Sequence, residues 1–176
     1  TQLGLRYDAN RQDIQVSPTA SAVLLADDGA RTTSSVGYTL SLDQRNDKLE
    51  PTSGYLLRLT QDFAGIGGDA RYISTNTAGK AWTSFFDEEL IASVELTWAT
   101  IFGLGDDIVV TERYFLGGSN LRGFADEGAG PRDKSTNDSL GGKYRVTARM
   151  ETTFPLGLPD EFGIYGGAFV DAGTVF

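Results

Sequence analysis

YFLGGSNLRGFADEGAGPRD, residues 114–133, sets Arg122 inside a small, apolar, glycine-rich phrase, GGSNLRGF. Before it runs an alternating segment, ELIASVELTWATIF, and after it another, GKYRVTARMETTF. A glycine-rich loop of this length between two patterned strands is either functional or disordered. Disorder favours low hydrophobicity and monotonous charge, whereas Leu116, Leu121 and Phe124 give this loop something to bury. The expectation is an ordered plug carrying one charge, with the rest of the chain as the wall it plugs.

Working outward, the same two-residue period recurs. Leu3, Leu5 and Tyr7 oppose Gly4, Arg6 and Asp8, and Val36, Tyr38, Leu40 and Leu42 oppose Ser35, Gly37, Thr39 and Ser41. Tyr55, Leu57, Leu59 and Phe63 alternate with Leu56, Arg58, Thr60 and Asp62. A weaker strand spans Ala70 to Thr77, and Leu90, Ala92, Val94, Leu96 and Trp98 mark the next. Beyond the loop, Tyr144, Val146, Ala148 and Met150 alternate with Arg145, Thr147, Arg149 and Glu151. The last strand sets Ile164, Ala168 and Val170 against Tyr165, Phe169 and Asp171. Residues 10–31 read as a long loop that Ile14 and Val16 shorten if they extend the first strand. AGIGGD, TAGKAWTSFFDE and PLGLPDEF read as turns. The total is about seven strands and no helix, in one domain without repeats or linker.

Composition excludes several classes. With no cysteine and no histidine, the chain holds no disulfide, no thiolate metal site and no Ser-His-Asp or Cys-His nucleophile. A net charge of −9 argues against nucleic acid. No EF-hand spacing organises the acidic pairs at 27–28 and 106–107 or the stretch GAGPRDKSTND, so neither metal nor cofactor is expected. No apolar run approaches the ~20 residues of a spanning helix, but a spanning strand needs only about 9–11, every second one apolar. The chain lacks an initiating Met and a signal segment and begins on a strand, which predicts a fragment.

Two-faced strands fit either a soluble β-sandwich or a membrane barrel, and pattern alone does not choose. Three features favour the barrel. The strands are long. The connections alternate in length: 10–31, 44–54, 64–69, 79–88, 103–141 and 155–162. Tyr55, Phe63, Trp82, Phe85, Phe86, Trp98, Phe102, Tyr144 and Phe154 fall near strand ends, where an interfacial girdle would lie. The fold class is therefore all-β: an antiparallel up-and-down transmembrane β-barrel, here a partial barrel with a long inward-folded loop.

On spacing alone Arg122 is either a solvated loop charge or a lumen charge in need of acceptors. By strand parity the inward carboxylates are Glu151, which shares a face with Arg145 and Arg149, and Asp171, which shares one with Phe169. A five-donor guanidinium fork can serve both.

ERYFLGGSNLRGF followed by GAGPRD resembles the lumen-loop signature of the BamA-type outer-membrane protein assembly family, including its TamA-like and FhaC-like branches. GGSNLRGF (Gly117, Gly118, Asn120, Leu121, Arg122, Gly123, Phe124) is similar to that family's (V/L)RG(F/Y) motif. FVDAG, with Phe169, Asp171 and Gly173, is similar to its (F/W)xDxG strand motif. LDQRNDKLEPTSG, LGG at 140–142 and TARMETTFP extend the resemblance from Val36 onward; the first thirty-five residues add little.

The resemblance implies that Arg122 is the motif arginine, Asp171 its strand acceptor and Glu151 a second one. It implies that residues 1–176 are part of one C-terminal barrel domain of about sixteen strands, with periplasmic POTRA domains and the last strands absent here. It further implies non-enzymatic insertion and assembly of β-barrel proteins in the bacterial outer membrane. The implied partners are outer-membrane lipid, unfolded outer-membrane proteins and periplasmic assembly lipoproteins. Incoming strands would enter at a lateral seam beyond these residues, which supply scaffold and lock. A two-partner secretion pore exporting a dedicated substrate, or a passive porin, are the alternatives.

Overall fold

The computed structural model describes the chain except for residues 88, 106 and 158–161. Seven strands form one antiparallel sheet in sequential order: β1 (Gln2–Ile14), β2 (Gly29–Asp43), β3 (Gly54–Gly68), β4 (Tyr72–Phe85), β5 (Leu90–Gly103), β6 (Tyr144–Pro155) and β7 (Tyr165–Val175). β1 and β7 are its two edges, so the sheet is an open, partial barrel. Up-and-down order follows from the connections, since adjacent antiparallel strands need only short ones. Inside a bilayer, pairing along every interior strand is also what satisfies the backbone.

The two faces separate cleanly. Leu57, Leu96, Trp98, Met150 and Val170 project from the convex side and are exposed. A soluble monomer rarely shows so large an apolar belt; lipid is the solvent such a face requires. Polar groups on this face serve one another: Tyr38 donates to Gln61 Oε1 at 2.9 Å, and Gln61 donates to Thr75 Oγ1 at 3.0 Å. At the loop end of the outer face Tyr144 stacks on Phe176, with centroids 5.3 Å apart, and meets the edge of Phe102 at 5.6 Å.

Several sequence expectations need correction. A four-residue helix, α1 (Ala22–Leu25), is capped by Ser21, and single 3-10 turns occur at Val110–Glu112 and Gly118–Asn120. The first loop is shorter than 10–31, because β1 continues to Ile14 and β2 begins at Gly29. AGIGG belongs to β3, and TAGKAWTSF belongs to β4. Glycine, alanine and lysine are poor strand formers in isolation, yet residues 77–82 complete the ladders of β3 and β5 on either side. The third connection is consequently the shortest, residues 69–71, and the regular alternation of loop lengths fails there. Trp82 shares an inward row with Glu151, against Lys80 and Arg45, so it is not part of a lipid-facing girdle. Trp98 lies well inside β5 rather than at its end. The centre of the PLGLPDEF turn and Asp106 lie outside the described residues.

On the concave face Arg6 of β1 pairs with Asp62 of β3, reaching across Gly37 of the intervening strand. A Cβ at position 37 would overlap the Asp62 carboxylate and approach the Gln61 carbonyl to 2.8 Å. Gly37→Ala should therefore break this three-strand tie and destabilise the full-length protein by about 1–3 kcal/mol, the usual cost of overpacking. Urea unfolding in detergent micelles measures it, and an unchanged midpoint would refute the tie.

Candidate functional site: a lumen loop held by a charge ladder

The 104–143 connection folds back over the concave face. Tyr114 and Gly142 exchange backbone hydrogen bonds at its neck, at 2.9 and 2.8 Å. Leu116 and Leu121 are buried with Val175 of β7, and Tyr114 and Ala129 pack around them. Gly173 makes room for this contact, because a Cβ there would sit 3.2 Å from Leu116 Cδ1. The loop therefore docks first through apolar surface, as Leu116 and Leu121 predict. Phe124 does not join it and is exposed. The turn that delivers Arg122 to β7 leaves Phe124 pointing away from the Leu116 cluster.

Arg122 engages two strands with all three of its side-chain nitrogens. Nε donates to Asp171 Oδ2 at 2.7 Å and Nη2 to Oδ1 at 2.5 Å, a bidentate pair. The Arg122 backbone N–H adds a third bond to Oδ2 at 3.1 Å, and Nη1 reaches Glu151 Oε1 at 2.6 Å. The guanidinium carbon lies 3.7 Å from the centroid of Phe169, a stacked cation-π contact. The Asp171 side chain is only 5% exposed, so its charge depends on these donors.

Asp171 is the end of a longer arrangement. Lys80, Glu95, Arg149 and Asp171 stand directly opposite one another across β4, β5, β6 and β7. Their charges alternate in sign along the row, with Lys80–Glu95 at 3.9 Å, Arg149–Glu95 at 4.0 Å and Arg149–Asp171 at 3.6 Å. Lys80 also reaches Glu151 at 3.6 Å. With Arg122, three cations face three carboxylates, so the cluster is neutral within a chain of net charge −9. Arg149 and Arg145 hold the loop in the opposite sense, donating from β6 to the carbonyls of Ser119 at 2.8 Å and Phe115 at 3.2 Å.

Glycines shape the phrase that presents Arg122. Gly117 has φ +139° and ψ −178°, a region essentially reserved for glycine. Asn120 closes the turn, accepting from the Gly117 N–H at 3.0 Å and donating to the Phe115 carbonyl at 3.4 Å. Gly118 lies against Asp126, and Gly123 (φ +87°) has open space around it. Arg132 clamps the loop's far end through the carbonyls of Asn137 and Glu127. The loop also meets the first connection: Val110 N–H donates to Asp27 at 2.6 Å, and Ser21 N–H to Asp138 at 2.7 Å.

These acidic residues serve as backbone acceptors, and no group able to hold a metal occurs among the described residues. Asp133 accepts from the Ser135 hydroxyl and the N–H groups of Ser135 and Thr136, led by the hydroxyl, which hold its carboxyl at about 2. A depressed carboxylate stabilises above its unfolded value of ~3.9 and stops doing so as pH falls through the folded value. The Ser135 and Thr136 amide resonances should thus stay constant from pH 8 to about 4 and move only on approach to pH 2. Movement centred near pH 4 would contradict this turn.

The structure brings Arg122, Asp171, Glu151 and Phe169 into one contact and places Gly173 beneath Leu116. Sequence reading placed Arg149 on the inward face without a role and missed Lys80 and Glu95. Their signal is cross-strand, visible only once the register of four strands is known.

A long-stranded wall, apolar outside and charged inside, with a loop bound to its inner face, defines a segment of an outer-membrane-type barrel. The Omp85 superfamily domain model matches residues 1–176, and the chain belongs to that superfamily. It is 34% identical over 148 residues to the outer membrane protein assembly factor BamA of Neorickettsia risticii, covering 84% of this chain and 20% of that protein. It is 30% identical over 152 residues to a SAM50-like protein of Schizosaccharomyces pombe, covering 83% of this chain and 32% of that one. Among solved structures, Haemophilus ducreyi BamA lacking POTRA domains 1–3 superposes with a TM-score of 0.77 at 20% identity. That match covers 99% of this chain and 38% of the other, and it shows the fold. The chain thus spans between a fifth and a third of the curated relatives it matches.

Proposed function

We propose that this chain is part of a single C-terminal barrel domain of a bacterial outer-membrane assembly factor. The whole protein inserts β-barrel proteins into the membrane without enzymatic chemistry. Membership of the Omp85 superfamily and the similarity to a bacterial relative described as an outer membrane protein assembly factor support this reading. The observation that carries it within the chain is the engagement of Arg122 with two strands at once. A pore lined for passive flow needs no loop docked by a dedicated fork across its wall. The lock, Arg122 to Asp171 and Glu151, keeps the loop and the β6–β7 wall as one body while unfolded outer-membrane protein substrates are received elsewhere on the barrel. Outer-membrane lipid covers the convex face, and periplasmic assembly lipoproteins are the expected accessory partners.

The test is reconstitution of the full-length protein in liposomes with an unfolded outer-membrane barrel as substrate. Assembly of several unrelated barrels, seen as heat-modifiable mobility, is expected. Failure with all of them, alongside export of one dedicated soluble partner, would favour a secretion pore.

A further inference from the structure

Between the charge ladder and the Arg6–Asp62 tie, the concave face has two successive rows of directly opposed residues. They contain Arg58 of β3 and Arg145 of β6 and no carboxylate. The neighbouring inward cations are matched: Arg6 by Asp62, Lys80 by Glu95 and Glu151, Arg149 by Glu95 and Asp171. The Arg58 side chain has no hydrogen bond or ion pair among the described residues. Among the described residues the Arg145 side chain has only the Phe115 carbonyl and the Tyr114 ring at 5.3 Å, and its Nε is buried without a partner there. Both arginines line one cavity of about 150 Å³, together with Thr60, Asn76 and Thr97. Small residues stand directly opposite the two arginines, Ala78 opposite Arg58 and Ala99 opposite Arg145, and leave that space open.

We propose that this cavity is an oxyanion site. The Arg145 guanidinium is partly withdrawn from water with its Nε unmatched, and a buried donor left unmatched is costly; Arg58 faces the same space from the solvent side. Two planar forks, flanked by hydroxyls and an amide, match the geometry of a carboxylate or phosphate better than that of a spherical ion. The space exceeds the ~30 Å³ that one water occupies. In a chain of net charge −9, two arginines with no ion pair to a carboxylate among the described residues form a positive spot, which focuses anions. The oxyanion comes either from solution, as inorganic phosphate, or from an acidic side chain of the rest of the barrel entering the lumen. The site rests on the barrel fold and not on the assembly activity.

The experiment uses the full-length protein in detergent micelles at low ionic strength, titrated with inorganic phosphate and followed calorimetrically. A free-anion site gives saturable binding that Arg58→Gln and Arg145→Gln each weaken about tenfold or more, the loss expected for a charge-assisted contact, while Arg58→Lys retains part of it. With a chain carboxylate in place, phosphate does not bind, and Arg58→Gln lowers the unfolding temperature by several degrees in low salt, a difference that high salt erases. No phosphate binding together with a wild-type unfolding temperature for Arg58→Gln overturns the proposal. Arg58 is exposed, and its side chain has no partner among the described residues, so its substitution leaves the fold itself intact. Both readouts are independent of substrate insertion and distinguish failure of this site from failure of the assembly role.

Discussion

Arg122→Ala in the full-length protein should free the loop while leaving the wall in place. The substitution removes all three side-chain donors on the two carboxylates and the stacked partner of Phe169. Asp171, almost inaccessible to water, keeps the backbone N–H of residue 122 and Arg149 at 3.6 Å. Leaving a carboxylate short of donors is more costly than never having placed it there. The apolar contact of Leu116 and Leu121 with Val175, the residue-122 N–H and the bonds from Arg145 and Arg149 to loop carbonyls then hold the loop without its main ionic anchor. We expect protease cleavage within 114–133 to accelerate at least on the order of tenfold, a local opening rather than global unfolding. Substrate assembly should fall with it. Arg122→Lys should recover only part, because an ammonium cannot make the bidentate pair. Glu151→Gln should do less harm, since Asp171 carries the bidentate bond. Cleavage and assembly at wild-type rates in Arg122→Ala would remove the lock from the mechanism.

Gly117→Ala should be as damaging by a different route. A Cβ at Gly117 would overlap the Ala125 carbonyl and approach the Gly128 nitrogen to 2.9 Å, both backbone atoms that cannot swing aside. The backbone angle is itself closed to alanine, at a cost of about 1–3 kcal/mol before any overlap is counted. We therefore expect loss of the turn, with Arg122 displaced from Asp171 although its side chain is intact. Gly123→Ala is the control. Its φ of +87° is also strained, but a Cβ there meets nothing within 4 Å. The pair separates steric exclusion from backbone preference. Amide exchange over 117–128 should rise sharply for Gly117→Ala and modestly for Gly123→Ala. Equal effects would show that crowding at Gly117 contributes nothing.

Parity carried the sequence reading furthest. Alternation about Met150 and Val170 puts Glu151 and Asp171 on the concave face, and the register of β6 with β7 agrees, pairing Glu151 with Phe169 and Arg149 with Asp171. Alternation works because a strand has only two sides. It says less about where strands stop. Residues 77–82 and 64–68 read as turns from their glycines and alanines, whereas 77–82 have ladder partners on both sides and 64–68 continue β3 extended past its last two-sided pair at Ala64. Trp82 was misplaced for the same reason: once β4 is extended through it, parity turns it inward. Phe124 resists reading altogether, because which apolar residue of a loop is buried depends on how the turn aims it. Lys80 and Glu95 are separated by a turn and gain meaning only through pairing.

The opposed charges of Lys80, Glu95, Arg149 and Asp171 also bear on how the wall comes together. A one-residue error in pairing would invert a strand's two sides and expose itself at once to lipid. A two-residue error preserves sidedness and would otherwise pass unnoticed. Shifting β6 by two positions against β5 sets Glu95 opposite Glu151 or Thr147, and the equivalent shift against β7 sets Asp171 opposite the same two residues. Like charges facing each other repel, and a threonine forfeits the attraction. The row thus acts as a proofreading mark, accepting one alignment of neighbouring strands and penalising the nearest plausible mistakes.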